Sequence, residues 1–416
     1  TTSLNDPSGP AHTQRHDFQT RPPVAAPDAQ VWDALAGTLP AAELDSVGVV
    51  ETRYYTFAHP PDGLNLECGK TLGPVTLAYE TYGKLNAAGD NAIFIAHFYS
   101  GNSHAAGKYR PADAAFGYWD PIVGSGRPID TDKYFVISAD TLANLNTKDP
   151  NVVTTGPASI DPATGRPYGM RFPVVSMRDS VRVHKALVDS LGVKKLVAVA
   201  GASGGSVQAM EWGALYPGFV DRVIHVIGPG FDIHPFVVGL LDAWVAAIKV
   251  DPKWNGGDYY GRDEPLDGIA KSLALVTITA RAHGWAERTF GYKWADPAKN
   301  PGDAMDHAFA VQDALEKAGV ARAKSTDANS MIYMSKANQL YRLTDDEVRG
   351  MKAKLLFVPA SSDLIFPPAL SERAAARYRA QGGVAEVAVI DGDGGHLDGV
   401  LAIAKQGEAI RAFLAR

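Results

Sequence analysis

Short apolar segments recur along the chain, and several are followed by a segment whose apolar positions have helical spacing. Residues 92–97 and 195–200 are nearly continuous apolar runs, which is typical of strands buried on both faces. Residues 180–191 have helical spacing and end before Gly192, a favourable residue after a helix. The same alternation predicts further strands at 75–82, 134–139, 222–227, 353–359 and 384–390, and further helices at 204–216, 369–379 and 397–414.

The alternation is interrupted once, between residues 229 and 340, where the pattern is mostly helical. An insertion of this length is too long for a loop, and we interpret it as a helical cap. Alternating strands and helices predict an α/β fold with a mainly parallel, doubly wound sheet. The predicted organisation is an N-terminal extension at 1–50, a core at 51–228 and 341–416, and the cap at 229–340. In the extension, the proline-rich residues 1–30 predict a flexible or surface-draped arm, and residues 31–52 contain a short helical pattern.

The turn from the predicted strand at 195–200 into the helix at 204–216 has the sequence Gly201-Ala-Ser203-Gly-Gly205. A Gly-x-Ser-x-Gly turn between a strand and a helix is typical of the nucleophile elbow of α/β-hydrolases. The alternatives are a glycine-rich turn without chemistry and a dinucleotide-binding turn, but the Gly-x-Gly-x-x-Gly spacing of the latter is absent. The motif therefore predicts the α/β-hydrolase fold, with Ser203 as the nucleophile.

A serine nucleophile needs a base and a carboxylate that orients the base, and in this fold they follow the serine in the order acid, then histidine. Asp363 comes directly after the predicted strand at 353–359, and His396 lies in a glycine-rich loop after the next strand. Asp391 and Asp393 are rival carboxylates, but both are very close to His396 in sequence. We therefore predict Ser203, Asp363 and His396 as the catalytic triad.

Two main-chain N–H groups are candidates for stabilising the oxyanion of an acyl-transfer reaction. One is that of Gly204, at the start of the helix after the serine, and the other is that of Tyr99, in the loop after the strand at 92–97. His97 and His104 in the same loop suggest a metal site, but no third ligand lies at motif spacing, and structural roles are favoured.

Composition limits the function classes further. The net charge is −6 and the isoelectric point is about 6.0, with no run of basic residues, which argues against nucleic acid as a partner. No apolar stretch is long enough to span a bilayer. The single cysteine, Cys68, is interpreted as a buried small side chain. The first residue is Thr1, which favours an exported or periplasmic location over a cytoplasmic one.

From about residue 70 onward, the sequence resembles the homoserine O-acetyltransferase family of the α/β-hydrolase superfamily, which also includes esterases. The matching motifs lie at 77–86, 101–107, 156–169, 178–179, 208–212, 327–330, 361–368 and 395–396. The resemblance implies the same triad, a helical cap and dimerisation through that cap.

The chain departs from the family at positions that would bind homoserine. Val245 stands where the transferases carry an arginine suited to the substrate carboxylate, and Leu397 where they carry an aspartate suited to its amine. Asp398 comes one residue later. Tyr99 also replaces a leucine beside the oxyanion hole. An apolar site cannot offset the desolvation of a carboxylate and an ammonium group.

These departures favour a serine-dependent carboxylic-ester hydrolase that acts through an acyl-enzyme on a small, largely uncharged ester. The alternative is an acyl-CoA-dependent O-acyltransferase with an acceptor other than homoserine; a non-catalytic binding protein is a third hypothesis. Phe98, Val245, Tyr259 and Leu397 are expected to line the substrate pocket. The expected partners are a small-molecule ester or acyl donor and a second copy of the chain, with no nucleic acid, membrane, metal or organic cofactor.

Overall fold

The computed structural model describes residues 39–40, 45–58 and 63–416. The predicted arm at 1–30 and most of the short helical pattern after it lie outside these residues. The pattern does not extend to Leu39, because Leu39–Pro40 pairs as a two-residue strand with Ala115–Phe116. The described residues contain three further two-residue strand pairs: Leu64–Asn65 with Thr71–Leu72, Val123–Gly124 with Ile129–Asp130, and Ile160–Asp161 with Arg166–Pro167.

The centre of the fold is an eight-stranded sheet. Its strands are β1 (Arg53–Phe57), β2 (Val75–Tyr82), β3 (Ala92–Ala96), β4 (Phe135–Ala139), β5 (Leu196–Ala202), β6 (Arg222–Val226), β7 (Lys354–Val358) and β8 (Ala385–Val387). Their order across the sheet is β8, β7, β6, β5, β3, β4, β2, β1. Strands β3 to β8 are parallel, and β2 is antiparallel to both of its neighbours. The predicted α/β-hydrolase fold with a mainly parallel sheet is confirmed.

Helices occupy most of the remaining described chain. The α-helices are α1 (Met177–Ser190), α2 (Gly204–Leu215), α3 (Pro235–Val250), α4 (Leu266–Thr279), α5 (His283–Thr289), α6 (Ala310–Ala323), α7 (Ala328–Gln339), α8 (Asp345–Gly350), α9 (Pro368–Ala380), α10 (Asp398–Leu401) and α11 (Gly407–Ala415). Short 3₁₀ helices lie at Asp120–Ile122, Gly169–Arg171, Pro252–Gly257, Gly395–Leu397 and Ile403–Gln406. None of the helices in the described ranges is long and apolar enough to cross a membrane.

Both faces of the sheet are buried, which explains the continuous apolar runs in its central strands. On β3, Phe94 belongs to the apolar core on one face, while Ile93 and Ile95 belong to the core on the other. The first core also contains side chains of α1, α2 and α9, and the second contains Phe413 of α11. Burying one such large apolar side chain stabilises the fold by about 1.5–3 kcal/mol.

Helices α3 to α8 all lie between β6 and β7; α3 to α7 fall within the predicted insertion at 229–340, and α8 follows it. They pack closely on one another: at Gly319 of α6, an added Cβ would lie 2.3 Å from the carbonyl oxygen of Ala270 in α4. The absence of a side chain there lets the two helix backbones touch. The exact division of the chain into extension, core and cap stays a prediction.

Two local predictions were wrong. The segment 397–414 is not one helix, because the chain turns at Ala402, where φ is −118° and ψ is 17°. Two glycines, Gly399 and Gly407, lower its helix propensity, and the side chain of Asp398 accepts a hydrogen bond from the Gly394 amide instead of facing solvent. Cys68 is exposed rather than buried, because it lies in the tight turn between Leu64–Asn65 and Thr71–Leu72.

Candidate active site

Ser203 lies at the sharp turn from β5 into α2. Its backbone has φ 56° and ψ −116°, a strained conformation for a residue other than glycine. A Cβ on Gly201 would come within 2.2 Å of the carbonyl oxygen of Gly205, and one on Gly205 within 2.2 Å of that of Ala96. Glycine is therefore required on both sides of the serine, so that β5, β3 and α2 can approach closely enough to hold the turn.

Three side chains form a hydrogen-bonded line at this turn. The hydroxyl group of Ser203 lies 2.8 Å from His396 Nε2, and His396 Nδ1 lies 2.7 Å from Asp363 Oδ2. The other carboxylate oxygen of Asp363 accepts hydrogen bonds from the main-chain N–H groups of Ile365 and Phe366, at 2.8 and 3.0 Å. Asp363 is 4% exposed and His396 5%. This geometry orients the imidazole, with Nδ1 protonated and Nε2 free to accept the serine proton.

The two rival carboxylates have other partners. Asp391 accepts a hydrogen bond from the hydroxyl group of Ser361, at 3.1 Å. Asp393 forms an exposed ion pair with Arg288, at 2.7 Å. Neither contacts the imidazole ring of His396, so the three residues predicted from the chain order are the ones that the fold brings together.

The main-chain amides of Tyr99 and Gly204 lie side by side next to the serine. A Cβ on Gly204 would lie 3.4 Å from the Tyr99 nitrogen. Within the described residues, neither N–H group donates a hydrogen bond to a protein acceptor. Two adjacent free donors, one of them at a helix N-terminus, are suited to stabilising negative charge on an oxygen atom.

The loop that carries Tyr99 is held by amide side chains that the sequence reasoning missed. Asn144 donates to the carbonyl oxygen of Gly101 at 3.0 Å, and Asn146 donates to that of Ser100 at 3.1 Å. The signal was available: both asparagines follow β4, which is parallel to β3 and next to it, so the loops after these two strands meet at one sheet edge.

A buried carboxylate and a buried imidazole also hold this loop. Asp140 accepts a hydrogen bond from the Ser103 amide at 2.7 Å, and burial raises the pKa of Asp140 to about 8. His97 Nε2 accepts one from the Thr141 amide at 3.1 Å, and burial lowers the pKa of His97 to about 4. The second histidine of the loop, His104, lies 2.9 Å from the carboxylate of Glu80.

Metal coordination has no support in this geometry. His97 and His104 face different partners, and no cluster of three or more potential metal ligands occurs in the described parts of the chain.

The predicted pocket residues fall into two groups. Val245 and Tyr259 are buried in the same apolar core as Tyr99, and Leu397 packs against that core. Phe98 instead packs against the core on the opposite face of the sheet, edge to face with Tyr118. The hydroxyl group of Tyr259 donates to Asp327, so it is already occupied within the helical insertion.

Comparison with known proteins agrees with this geometry. A family model described as the alpha/beta hydrolase fold matches residues 117–400. The chain is 40% identical over 359 residues to a homoserine O-acetyltransferase of Moorella thermoacetica, an alignment that covers 85% of this chain and 93% of that protein. A homoserine O-acetyltransferase of Deferribacter desulfuricans is 37% identical, with coverage of 89% and 97%. The chain belongs to the homoserine O-acetyltransferase family.

The solved structures similar to this family member include proteins named as an esterase and as an acetyltransferase. The crystal structure of esterase E22 is 42% identical, with a TM-score of 0.83, and the match covers 88% of this chain and all of that one. Homoserine O-acetyltransferase from Bacillus anthracis is 32% identical, with a TM-score of 0.82 and coverage of 88% and 98%. This member of the family is thus an enzyme with hydrolase or acyltransferase activity.

Proposed function

We propose that this protein is a serine-dependent carboxylic-ester hydrolase, acting on a small ester without the paired charges of an amino acid. The observation that carries the proposal is the apolar character of the two positions expected to bind homoserine. Val245 is 2% exposed and lies in the same core as Tyr99, and Leu397 directly follows the imidazole that contacts Ser203. Neither offers a charge to a zwitterion.

The nearby Asp398 does not replace the missing aspartate. It is 8% exposed and accepts a hydrogen bond from the Gly394 amide at 3.1 Å. An added Cβ on Gly394 would fall 2.1 Å from its Oδ1 atom, so the carboxylate is turned back into the loop before His396. A substrate ammonium group would have to compete with these contacts.

In the proposed reaction, the Ser203 oxygen attacks the ester carbonyl carbon while His396 Nε2 takes the hydroxyl proton. The N–H groups of Tyr99 and Gly204 stabilise the oxyanion of the tetrahedral intermediate. The intermediate collapses, the bond to the alcohol oxygen breaks, and His396 returns the proton to the departing alcohol. Water then attacks the acyl-enzyme with the same base, which releases the acid and restores Ser203.

The alternative is acyl transfer from acyl-CoA to an alcohol other than homoserine, which uses the same acyl-enzyme. The similarity to proteins named homoserine O-acetyltransferase favours this candidate. Once the acyl-enzyme has formed, the two reactions differ in whether water or a second alcohol attacks it.

Steady-state kinetics on one purified sample separate the candidates. p-Nitrophenyl esters of two to eight carbons, with water as the only acceptor, are compared with acetyl-CoA plus homoserine. We expect rapid ester hydrolysis and no homoserine-stimulated release of CoA. Homoserine-dependent CoA release would contradict the proposal. The Ser203→Ala variant is the control for the nucleophile, and more than a tenth of wild-type activity in it would refute that role.

A further inference from the structure

Helix α7 carries a buried amide side chain that the proposed reaction does not use. Asn338, near the end of the helix, is 6% exposed. Its nitrogen atom Nδ2 donates a hydrogen bond to the carbonyl oxygen of Met334, four residues earlier, at 3.0 Å. This bond fixes the orientation of the amide group, because the oxygen atom Oδ1 in the same place would face another acceptor. Oδ1 is therefore the end of the side chain that is left for other contacts.

The amide oxygen of Asn338 lies beside the proposed oxyanion site. A Cβ added to Gly204 would be 3.2 Å from Asn338 Oδ1 and 3.4 Å from the main-chain nitrogen of Tyr99. The same point is thus next to the amide oxygen and to one of the two free N–H donors, and Gly204 itself supplies the other donor. Gly204 directly follows Ser203 in the chain. An uncharged acceptor, two donors and the nucleophile therefore border one small region.

Two hydrogen bonds hold α7 against the loop that carries the Tyr99 donor. The hydroxyl group of Tyr99 lies 3.0 Å from the carbonyl oxygen of Met331 and 2.9 Å from Ser335 Oγ. Met331, Ser335 and Asn338 are spaced four and three residues apart, so they share one face of the helix. The residue whose amide forms part of the oxyanion site thus also fixes the position of Asn338 relative to that site.

Asn338 Oδ1 accepts no hydrogen bond from the described residues, and the atom is not sealed off from solvent. Buried polar atoms in folded proteins are nearly always hydrogen-bonded, and an unpaired one costs free energy. The missing donor must therefore come from outside the protein, from water or from the bound ester. A neutral amide oxygen can accept from a hydroxyl group, but it does not offset the desolvation of an ammonium ion.

We propose that Asn338 Oδ1 accepts a hydrogen bond from a hydroxyl group of the substrate, and that the preferred substrate is therefore a hydroxy ester. This inference rests on the proposed hydrolase function and narrows its substrate class. With the ester carbonyl oxygen at the N–H groups of Tyr99 and Gly204, a hydroxyl group close to the carbonyl group, on the acyl or the alcohol side, reaches Oδ1. Such a group adds no charge, in agreement with the apolar side chains of Val245 and Leu397.

The test uses two series of esters in which a hydroxyl group is replaced by a methoxyl or a methyl group. In the first series the acyl side varies: ethyl lactate, ethyl 2-methoxypropanoate and ethyl 2-methylpropanoate. In the second the alcohol side varies: 2-hydroxyethyl, 2-methoxyethyl and propyl acetate. The methoxyl group keeps the oxygen atom but cannot donate, and the methyl group matches the size of the hydroxyl group. Acid release at constant pH gives kcat/KM for each ester.

The series are measured on the wild type, on Asn338→Leu, which keeps the side-chain shape without its oxygen atom, and on the smaller Asn338→Ala. The matched control is Gln339→Leu. Gln339 is the next residue of α7, and its amide nitrogen likewise donates to a carbonyl oxygen, that of Val238, at 2.9 Å. Comparing each variant with the wild type on the same esters cancels the intrinsic reactivity of the esters and any general loss of activity.

We expect the wild type to prefer the hydroxy ester over both analogues in one series, and that series identifies which half of the substrate carries the hydroxyl group. Both Asn338 variants should lower this preference, measured as the ratio of kcat/KM values, by about tenfold, because one hydrogen bond to a neutral group is lost. Gln339→Leu should leave the ratio unchanged.

The inference would be overturned, without any variant, by a wild-type enzyme that shows no preference for the hydroxy ester in either series. A preference that persists in both Asn338 variants, or one that Gln339→Leu lowers equally, would overturn it as well. Wild-type enzyme that hydrolyses none of the six esters would instead overturn the proposed function.

Discussion

The two walls of the candidate site are built on different principles. The reacting wall consists of Ser203, Asp363, His396 and the loop that carries Tyr99, where the triad side chains and two loop carbonyl groups have defined hydrogen-bond partners. The predicted cap wall contains Val245, a buried apolar side chain in the same core as Tyr99. The comparison suggests that the reacting wall fixes the reaction, while the cap wall selects the substrate. Variants in the two walls should then fail in different ways.

The largest effect is expected at the carboxylate behind the imidazole. Asp363→Asn should lower kcat by about 10⁴-fold, because an amide N–H facing Nδ1 favours the wrong tautomer of His396. The fold should be kept, since the remaining oxygen can still accept from the Ile365 and Phe366 amides. Ester hydrolysis and denaturant unfolding measure the two properties. A loss of less than tenfold would mean that another group orients the base.

A smaller effect is expected where the oxyanion loop is held. Asn144→Ala removes the donor to the Gly101 carbonyl and should lower kcat by roughly 10- to 100-fold, with little change in KM, because the Tyr99 amide loses its fixed position. Asn151→Ala, in the same connection, removes a hydrogen bond to Asp149 and is the matched control. If both variants lower kcat equally, the effect comes from general loosening of the connection.

The buried side chain of His97 predicts that the free energy of unfolding depends on pH. The pKa of folded His97 is lowered to about 4 by burial, so on acidification the unfolded chain takes up this proton first, near its ordinary value of 6.5. The contribution of neutral His97 to the free energy of unfolding is fully present above pH 6.5. About 3 kcal/mol of it is lost as the pH falls toward 4.

The pH profile of the free energy of unfolding tests this sign. His97→Asn should be less stable than the wild type at pH 7, and the difference should shrink between pH 6.5 and 4. Because the comparison is between two variants at each pH, the other buried groups that titrate contribute equally to both. A difference that stays constant across this range would show that His97 does not carry the acid sensitivity.

The smallest effect on activity is expected at a residue that the sequence assigned to the substrate pocket. Tyr259→Phe removes the hydrogen bonds to Asp327 and from the Asn329 amide, and should lower the free energy of unfolding by about 1–3 kcal/mol. The value of kcat/KM for a neutral ester should change by less than about threefold. A large rise in KM without a loss of stability would contradict this expectation and indicate that Tyr259 lines the substrate pocket.

The sequence predicted the parts of this molecule that depend on short-range pattern. Strands β3 to β7 were predictable because burial on both faces produces apolar runs, and the triad because chain order is fixed in this fold. Asn144 and Asn146 were missed because their role depends on which strands are neighbours.

The position of the helical insertion has a consequence for evolution. It lies between β6 and β7, two adjacent parallel strands, whereas Ser203 precedes it and Asp363 and His396 follow it. Mutation, insertion or recombination within residues 229–340 can therefore alter which molecules are accepted without moving the reacting atoms. A lineage with this arrangement can diversify its substrates while its chemistry stays under separate selection, which fits a family whose members carry both transferase and esterase names.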